Sequence, residues 1–245
     1  MNFILGCVKG NLEDIKKIYS NHEIDIHMWN EVSFCSACSY GHLEVAKWLY
    51  EISLENKDII NIHISNERAF RSACENGHLK IAKWLYDISL KNKESGIDIH
   101  ANQEEAFRFT CINGHLEIAK WLYQISKDIN IHIRDEEAFR FTCYNGHFEI
   151  VKWLYEISLE NKKINIYIND DEPFRLARRG NYFNIAKWLL SFYTNKKLIN
   201  LYYPFEYTIT NQIIPSLVKQ ELENRRKNRV SLILYLFENK FKLLD

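Results

Sequence analysis

The chain has 245 residues, and its 32 Lys and Arg balance 32 Asp and Glu, so it carries no formal net charge. That balance excludes a partner held by bulk electrostatics, such as duplex nucleic acid or an anionic membrane surface. With 47% hydrophobic residues but only 8 Gly and 3 Pro, the composition excludes a disordered chain and a turn-rich β-barrel or sandwich.

In chain order, Met1 to Lys9 has no basic region, and its apolar run is too short for a leader. The six Cys of a chain without one read as reduced thiols, which places the protein in the cytoplasm. A first helix with Phe3 and Cys7 inward leads to Gly10 and a second, GNLEDIKKIY. The sequence then repeats. Asp25-Ile26-His27 opens an extended segment, a helix with Ala37 and Cys38 follows, and Gly41 starts the run GHLEVAKWLY. Related runs begin at Gly77, Gly114, Gly146 and Asn181. Their Trp residues, Trp48, Trp84, Trp121, Trp153 and Trp188, are 36, 37, 32 and 35 apart, a period that marks a repeat array.

Each copy has one grammar. In the third, Asn61 to His63 is extended, and Ile64 to Asn66 turns. A first helix then carries Ala69, Phe70, Ala73 and Cys74 on one face. Gly77 ends it, because Gly takes the left-handed conformation a helix C-terminus needs. The sixth copy has Asn181 at that place, the next most tolerant residue. The second helix, with Leu79, Ile81, Ala82, Trp84, Leu85 and Ile88, is apolar around much of its circumference and is expected between neighbours. Beyond Leu201 the motif is lost. Two helices are predicted there, about 208–223 and 228–241, with a basic cluster at Arg225, Arg226, Lys227 and Arg229 that reads as a solvated helix end. The apolar stretch Val230 to Phe237 is far below the ~20 residues of a membrane span.

The residue columns carry little chemistry. Cys7, Cys38, Cys74, Cys111 and Cys143 fall three residues before their Gly and read as small buried hydrophobes. Stacked helices lie roughly 8–10 Å apart, too far for the column to form disulfides. Cys35 and Cys38 make a lone Cys-Ser-Ala-Cys with no second pair to complete a metal site. Two His columns, at His42, His78, His115 and His147 and at His27, His63, His100 and His132, predict local hydrogen bonds at turns. Arg71, Arg108, Arg140 and Arg175 form a stripe, each four residues after an acid: Glu67, Glu104, Glu136 and Asp171. The spacing favours local i,i+4 pairs worth about 0.2–0.5 kcal/mol each; the alternative is a basic ladder along the concave face that suits an acidic partner. The aromatic columns are expected in the core.

The run Gly-His-Leu-Glu-Val-Ala-Lys-Trp-Leu resembles the second-helix motif of ankyrin repeats. The pairs Ala37-Cys38, Ala73-Cys74, Thr110-Cys111 and Thr142-Cys143 match that family's small pair in its first helix, and the [Asp/Asn]-Ile-His segments look like the start of its finger. The family's opening Thr-Pro-Leu-His is degenerate here, reading Arg68-Ala-Phe-Arg71 in the third copy and keeping the Pro only at Pro173. The Ala/Val-Lys-Trp-Leu variant is similar to arrays common in large DNA viruses of amoebae and in amoeboid protists. The resemblance implies an all-α repeat solenoid of stacked helix pairs with short β-hairpin or turn fingers. Residues 1–200 would form about six repeats, the first truncated as an N-terminal cap, and 201–245 a divergent helical cap. It also implies a non-catalytic, monomeric interaction scaffold, with a protein partner and no metal, cofactor, nucleic acid or membrane. The partner would meet the concave face and the finger turns at Asn30, Glu31, Asn66, Glu67, Asn102, Gln103, Glu104, Arg134, Asp135, Glu136, Asn169, Asp170 and Asp171. The alternative is an adaptor whose C-terminal segment recruits other machinery, such as a ubiquitin ligase. An enzyme has no constellation of residues behind it.

Overall fold

The computed structural model describes residues 3–91 and 96–193. The helices come in pairs: α1 (Phe3–Lys9) with α2 (Leu12–Asn21), α3 (Met28–Ser39) with α4 (Leu43–Glu55), and α5 (Ile64–Glu75) with α6 (Leu79–Lys91). There follow α7 (Ala101–Ile112) with α8 (Leu116–Ile125), α9 (Ile133–Asn145) with α10 (Phe148–Ser158), and α11 (Ile168–Arg179) with α12 (Phe183–Leu190). The odd-numbered helices stack in one row, α1 on α3 through to α9 on α11, and each even-numbered helix packs against its own partner. This is an all-α repeat solenoid. Among the described residues there is no strand, so the fingers are turns. The helices expected at 208–223 and 228–241, the cap at 201–245 and its basic cluster lie outside the described residues.

Two columns build the core. On the first helices Phe34, Phe70, Phe107 and Phe139 are fully buried, beside Cys38, Cys74, Cys111 and Cys143. On the second helices Ala46, Leu49, Ala82, Leu85, Ala119 and Leu122 have no exposed surface. The five Trp residues of the second helices are half-buried and work between repeats. Each meets the Tyr of the preceding second helix edge-on, as in Trp84 on Tyr50 and Trp121 on Tyr86, with ring centroids 5.9 and 5.8 Å apart.

The hinge between the paired helices repeats as well. Gly41, Gly77, Gly114 and Gly146 have φ between 83° and 89°, and Asn181 has φ 62°. The next amide closes a reverse bond, such as His78 N–H to the Ala73 carbonyl at 2.8 Å. The Gly also makes room. A Cβ on Gly77 would sit 2.6 Å from the His115 ring, and one on Gly41 2.7 Å from the His78 ring. That ring reaches back one repeat: His42 Nε2–H donates to the Val8 carbonyl at 2.8 Å, and His78 to the Ser39 carbonyl at 3.0 Å. The sequence suggests bonds local to the turn, whereas these tie one copy to the one before.

All six thiols are free and buried. Burial pushes Cys7 and Cys35 up to about 11, and Cys38, Cys74, Cys111 and Cys143 are raised by complete burial. Thiolate is the reactive form. At pH 8 the native chain is therefore expected to resist a thiol-specific colorimetric reagent, while all six react in denaturant. Rapid reaction of native Cys35 would contradict its burial.

Candidate partner-binding surface

Each finger starts as Ile-Asx-Ile followed by His, or by Tyr167 in the last. The Ile pairs, such as Ile60 and Ile62, are buried, except that Ile24 is half-buried. The Asx side chain between them accepts a hydrogen bond from the amide two residues on, as Asn61 does from His63 N–H at 3.0 Å. The chain then makes three residues of left-handed turn. These are Trp29 to Glu31, Ser65 to Glu67, Asn102 to Glu104, Arg134 to Glu136 and Asn169 to Asp171, with φ between 50° and 63°. Left-handed backbone costs about 1–2 kcal/mol per ordinary residue. Asn and Asp, which tolerate it best, fill most of the first two positions of these turns.

Four locks offset that cost. The third residue's amide bonds back four residues, as Glu67 N–H does to the His63 carbonyl at 3.3 Å. The His side chain then spans the turn, His63 Nδ1–H donating to Glu67 Oε1 at 2.8 Å, with equivalents at His27–Glu31, His100–Glu104 and His132–Glu136. The same carboxylate accepts the Asx amide of the next finger at 3.2 Å: Asn61 on Glu31, Asp98 on Glu67, Asn130 on Glu104 and Asn165 on Glu136. In the last turn Asp171 accepts from Tyr193 Oη–H at 2.9 Å. Finally, from the third copy on, the Arg of the first helix caps the turn's carbonyls. Arg71 donates to Asn66 O at 2.6 Å and Ser65 O at 3.0 Å, and Arg175 to Asp170 O at 3.0 Å and Asn169 O at 2.6 Å.

The local pairs Glu67–Arg71, Glu104–Arg108 and Glu136–Arg140 do not form. Each Glu ends a left-handed turn, so its carboxylate is turned inward to the His and the next finger. The Arg reaches forward one repeat instead: Arg71 pairs with Glu105, Arg108 with Glu137, and Arg140 with Glu172 at 2.5 Å. The second copy shows the rule by exception, because Cys35 stands at the Arg place and Arg68 at the acid's place in the copy that follows.

This geometry divides the thirteen candidate residues. Asn30, Asn66, Asn102, Gln103, Arg134, Asp135, Asn169 and Asp170 are exposed at the tips. Neighbouring tips touch, Asn66 Nδ2–H donating to Asn102 Oδ1 at 3.0 Å and Arg134 Nε–H to Gln103 Oε1 at 2.6 Å. Glu31, Glu67, Glu104, Glu136 and Asp171, only 4–8% exposed, are the internal anchors of the turns and present no surface. Two surface features escape a reading of the turns alone. Trp29, 72% exposed, stands on the second tip where other copies have Ser, Asn or Arg. On the open side of the first helices, Ser36 and Ser72 give way to Phe109, Phe141 and Leu176 at equivalent places. Aligning the copies column by column exposes that change.

Two members of each His column are shifted, in opposite directions. The Glu104 hydrogen bond, against burial and with Asp128 and Asp98 nearby, holds His100 above its usual value; at His27 burial is outweighed by Glu31, Asp58 and Asp25. Their contribution is full below about pH 6.5 and is lost as pH rises through the raised values. Burial lowers His115 and His147, so they stay neutral in the fold and cost stability as pH falls below about 6.5. Urea midpoints of the full chain across pH 5–9 are expected to peak near neutrality. Gln at positions 115 and 147 should flatten the acid side, and Gln at 27 and 100 the alkaline side.

Helix pairs stacked through a Gly hinge, with a turn finger between pairs, define the architecture of an ankyrin array. The family model for ankyrin repeats in three copies matches residues 107–200, and that for ankyrin repeats in many copies matches residues 34–86. The two together span more than half of the chain, which belongs to the ankyrin-repeat family. Among solved structures, the human ASB11 ankyrin repeat domain is similar at 18% identity and TM-score 0.54, over 80% of this chain and 85% of that one. A chain in the structure of the Bd0816 predatory endopeptidase from Bdellovibrio bacteriovorus with immunity protein Bd3460 aligns at 18% identity and TM-score 0.53, over 78% of this chain and 97% of that one. These likenesses establish the shared fold. No curated protein matches the chain in sequence. Among the described residues, no helix is long and apolar enough to cross a membrane, and no three His, Cys, Asp or Glu are grouped to hold a metal ion.

Proposed function

We propose that the protein is a non-catalytic scaffold that binds a protein partner through its exposed finger tips and the concave face of its first helices. The observation that carries this reading is the locked left-handed turn. Its third residue is anchored inside, and its first two are held outward on a fixed backbone. A rigid, polar tip gives up little conformational freedom on docking, which lowers one of the costs of association. The chemistry-bearing side chains support the same reading: the thiols are buried, and the finger His rings are engaged by carboxylates. The likeness of the repeats to viral and protist arrays fits a cytoplasmic, monomeric interaction protein acting in a host cell.

The test is affinity capture on the full chain, compared with a variant carrying Gly at Asn66, Asn102, Gln103 and Asp135. The variant is expected to fold, because these side chains are exposed and Gly takes the left-handed backbone without steric cost, and to lose the partners that the wild type retains. Full retention of every partner would overturn the assignment of the tips. The adaptor alternative places recruitment in 201–245. Deleting that segment separates the readings, since an adaptor loses one partner and keeps a folded array, whereas a cap loses the fold.

A further inference from the structure

The concave face is not uniform. At the fifth residue after each buried acid stand Ser36, Ser72, Phe109, Phe141 and Leu176; three residues further on stand Ser39, Glu75, Ile112, Tyr144 and Arg179. The N-terminal half of the row is small and polar, and the C-terminal half is apolar. Phe141 and Tyr144 are 36% and 37% exposed, and Phe109, Ile112 and Leu176 are half-buried beside them. The Arg108 and Arg140 guanidiniums lie 5.4 and 5.5 Å from the centres of the Phe109 and Phe141 rings. Both Arg are tied to the turns and to the next repeat, so the rings rest on fixed cations rather than swinging free. Aromatic side chains already held in place are what binding hot spots are made of. Beyond Leu176 the face turns basic, with Arg175 and Arg179 exposed.

We propose that this half of the groove takes an amphipathic helix with an acidic first turn, a partner segment supplied by another protein. This rests on the reading of the protein as a binding scaffold and names its ligand. Spacing selects the helix. Stacked helices bring equivalent residues about 8–10 Å apart. A helix repeats the same face every seven residues, about 10.5 Å, whereas one face of a strand repeats every ~6.7 Å. Apolar residues at i and i+7 therefore fall on Phe109 and Phe141, or on Phe141 and Leu176. Those at i+3 and i+4 fill the spaces between them, where Ile112 and Tyr144 stand. Charge selects the acidic end. Glu105, Glu137 and Glu172 are engaged by Arg71, Arg108 and Arg140. Among the described residues no carboxylate is in ion-pair contact with Arg175 or Arg179, although Arg175 lies near Glu172, so the two present positive charge at this end, and carboxylates are favoured in the first turn of a helix. The chain's own segment from 228 to 241 fits poorly, because Arg225, Arg226, Lys227 and Arg229 precede it.

The experiment titrates the full chain into a fluorescein-labelled synthetic 18-residue helix with Leu at i, i+3, i+4 and i+7 positions, Ala and Gln between, and Glu in its first turn. One control has Lys in the first turn, and another has the Leu positions scrambled. The acidic patterned peptide is expected to bind at least tenfold tighter than either control. Phe109→Ser with Phe141→Ser installs the residue that the second and third copies carry, so the fold should be kept, as an unchanged thermal melt will show. That pair should weaken the acidic peptide at least tenfold. Arg175→Glu with Arg179→Glu should erase the preference for Glu over Lys. Equal binding of patterned and scrambled peptides, or Ser variants that bind as wild type, would overturn the proposal. If finger-tip variants still lose captured partners while the Ser variants bind normally, this inference fails and the scaffold reading stands. If neither set of variants changes binding, both fail.

Discussion

Replacing Arg108 by Met is expected to destabilise the full chain by about 3 kcal/mol, the scale of breaking a buried charge pair from one side. Arg108 is only 1% exposed. Its guanidinium donates to Gln103 O at 2.7 Å and Asn102 O at 3.3 Å, and pairs with Glu137 of the next repeat. Met fills much the same volume but satisfies none of these groups. Glu137 keeps only its longer contact with the exposed Arg134 at 3.8 Å, and the left-handed turn at 102–104 loses the cation that holds its carbonyls. The same change at Arg175 is the internal control. Arg175 is exposed, and among the described residues its hydrogen bonds go to its own turn, so its loss should cost less than about 1 kcal/mol. Urea unfolding followed by far-UV circular dichroism reads both. Equal losses at the two positions would show that the forward pairing contributes nothing.

Replacing Gly114 by Ala should cost about 2–4 kcal/mol. The first part is the backbone. Gly114 has φ 89°, and a Cβ in the left-handed region costs about 1–2 kcal/mol. The second part is the neighbour. The new Cβ lies 2.5 Å from the His147 ring, which must swing away and give up its bond to the Ile112 carbonyl. Gly96 provides the contrast. Its φ is ordinary, and a Cβ there meets only Leu90 at 3.6 Å, so Gly96→Ala should fall within about 0.5 kcal/mol of wild type. The same unfolding curves decide it. A Gly114→Ala protein as stable as Gly96→Ala would mean that the ring is free to move.

Most of the architecture is legible in the residues. The Phe and Cys columns, the Gly hinges and Asn181 in the Gly place are set by short-range rules, packing on one face and a left-handed helix end, and these rules act within one copy. What is not legible is what crosses between copies. The i,i+4 spacing of Glu67 and Arg71 argues for a pair only if both lie on one right-handed helix. Glu67 closes a left-handed turn, which sends its carboxylate to His63 and to the amide of Asp98. Arg71 is then free for Glu105, 34 residues away. A signal for that pairing is present in the sequence, in two columns offset by one copy: where Arg is missing at Cys35, the acid is missing at Arg68. The candidate surface divides in the same way. That the tips are exposed follows from their polarity, whereas the burial of their acids follows from a backbone handedness that composition does not announce.

The forward reach of each Arg also governs how such an array can lengthen or shorten. Copies four to six present the same plug and the same socket, Arg at one end and Glu at the other. Loss of residues 105–136 would bring Arg71 against Glu137 and leave Arg140 seated on Glu172. The joint between the second and third copies is keyed differently, Cys35 against Arg68, and accepts neither neighbour's counterpart. Duplication and loss of whole units are therefore cheap toward the C-terminal end of the described array and penalised toward its N-terminal end. Any groove that grows or shrinks by such events does so at the aromatic end, while the second finger, with its exposed Trp29, stays where it is.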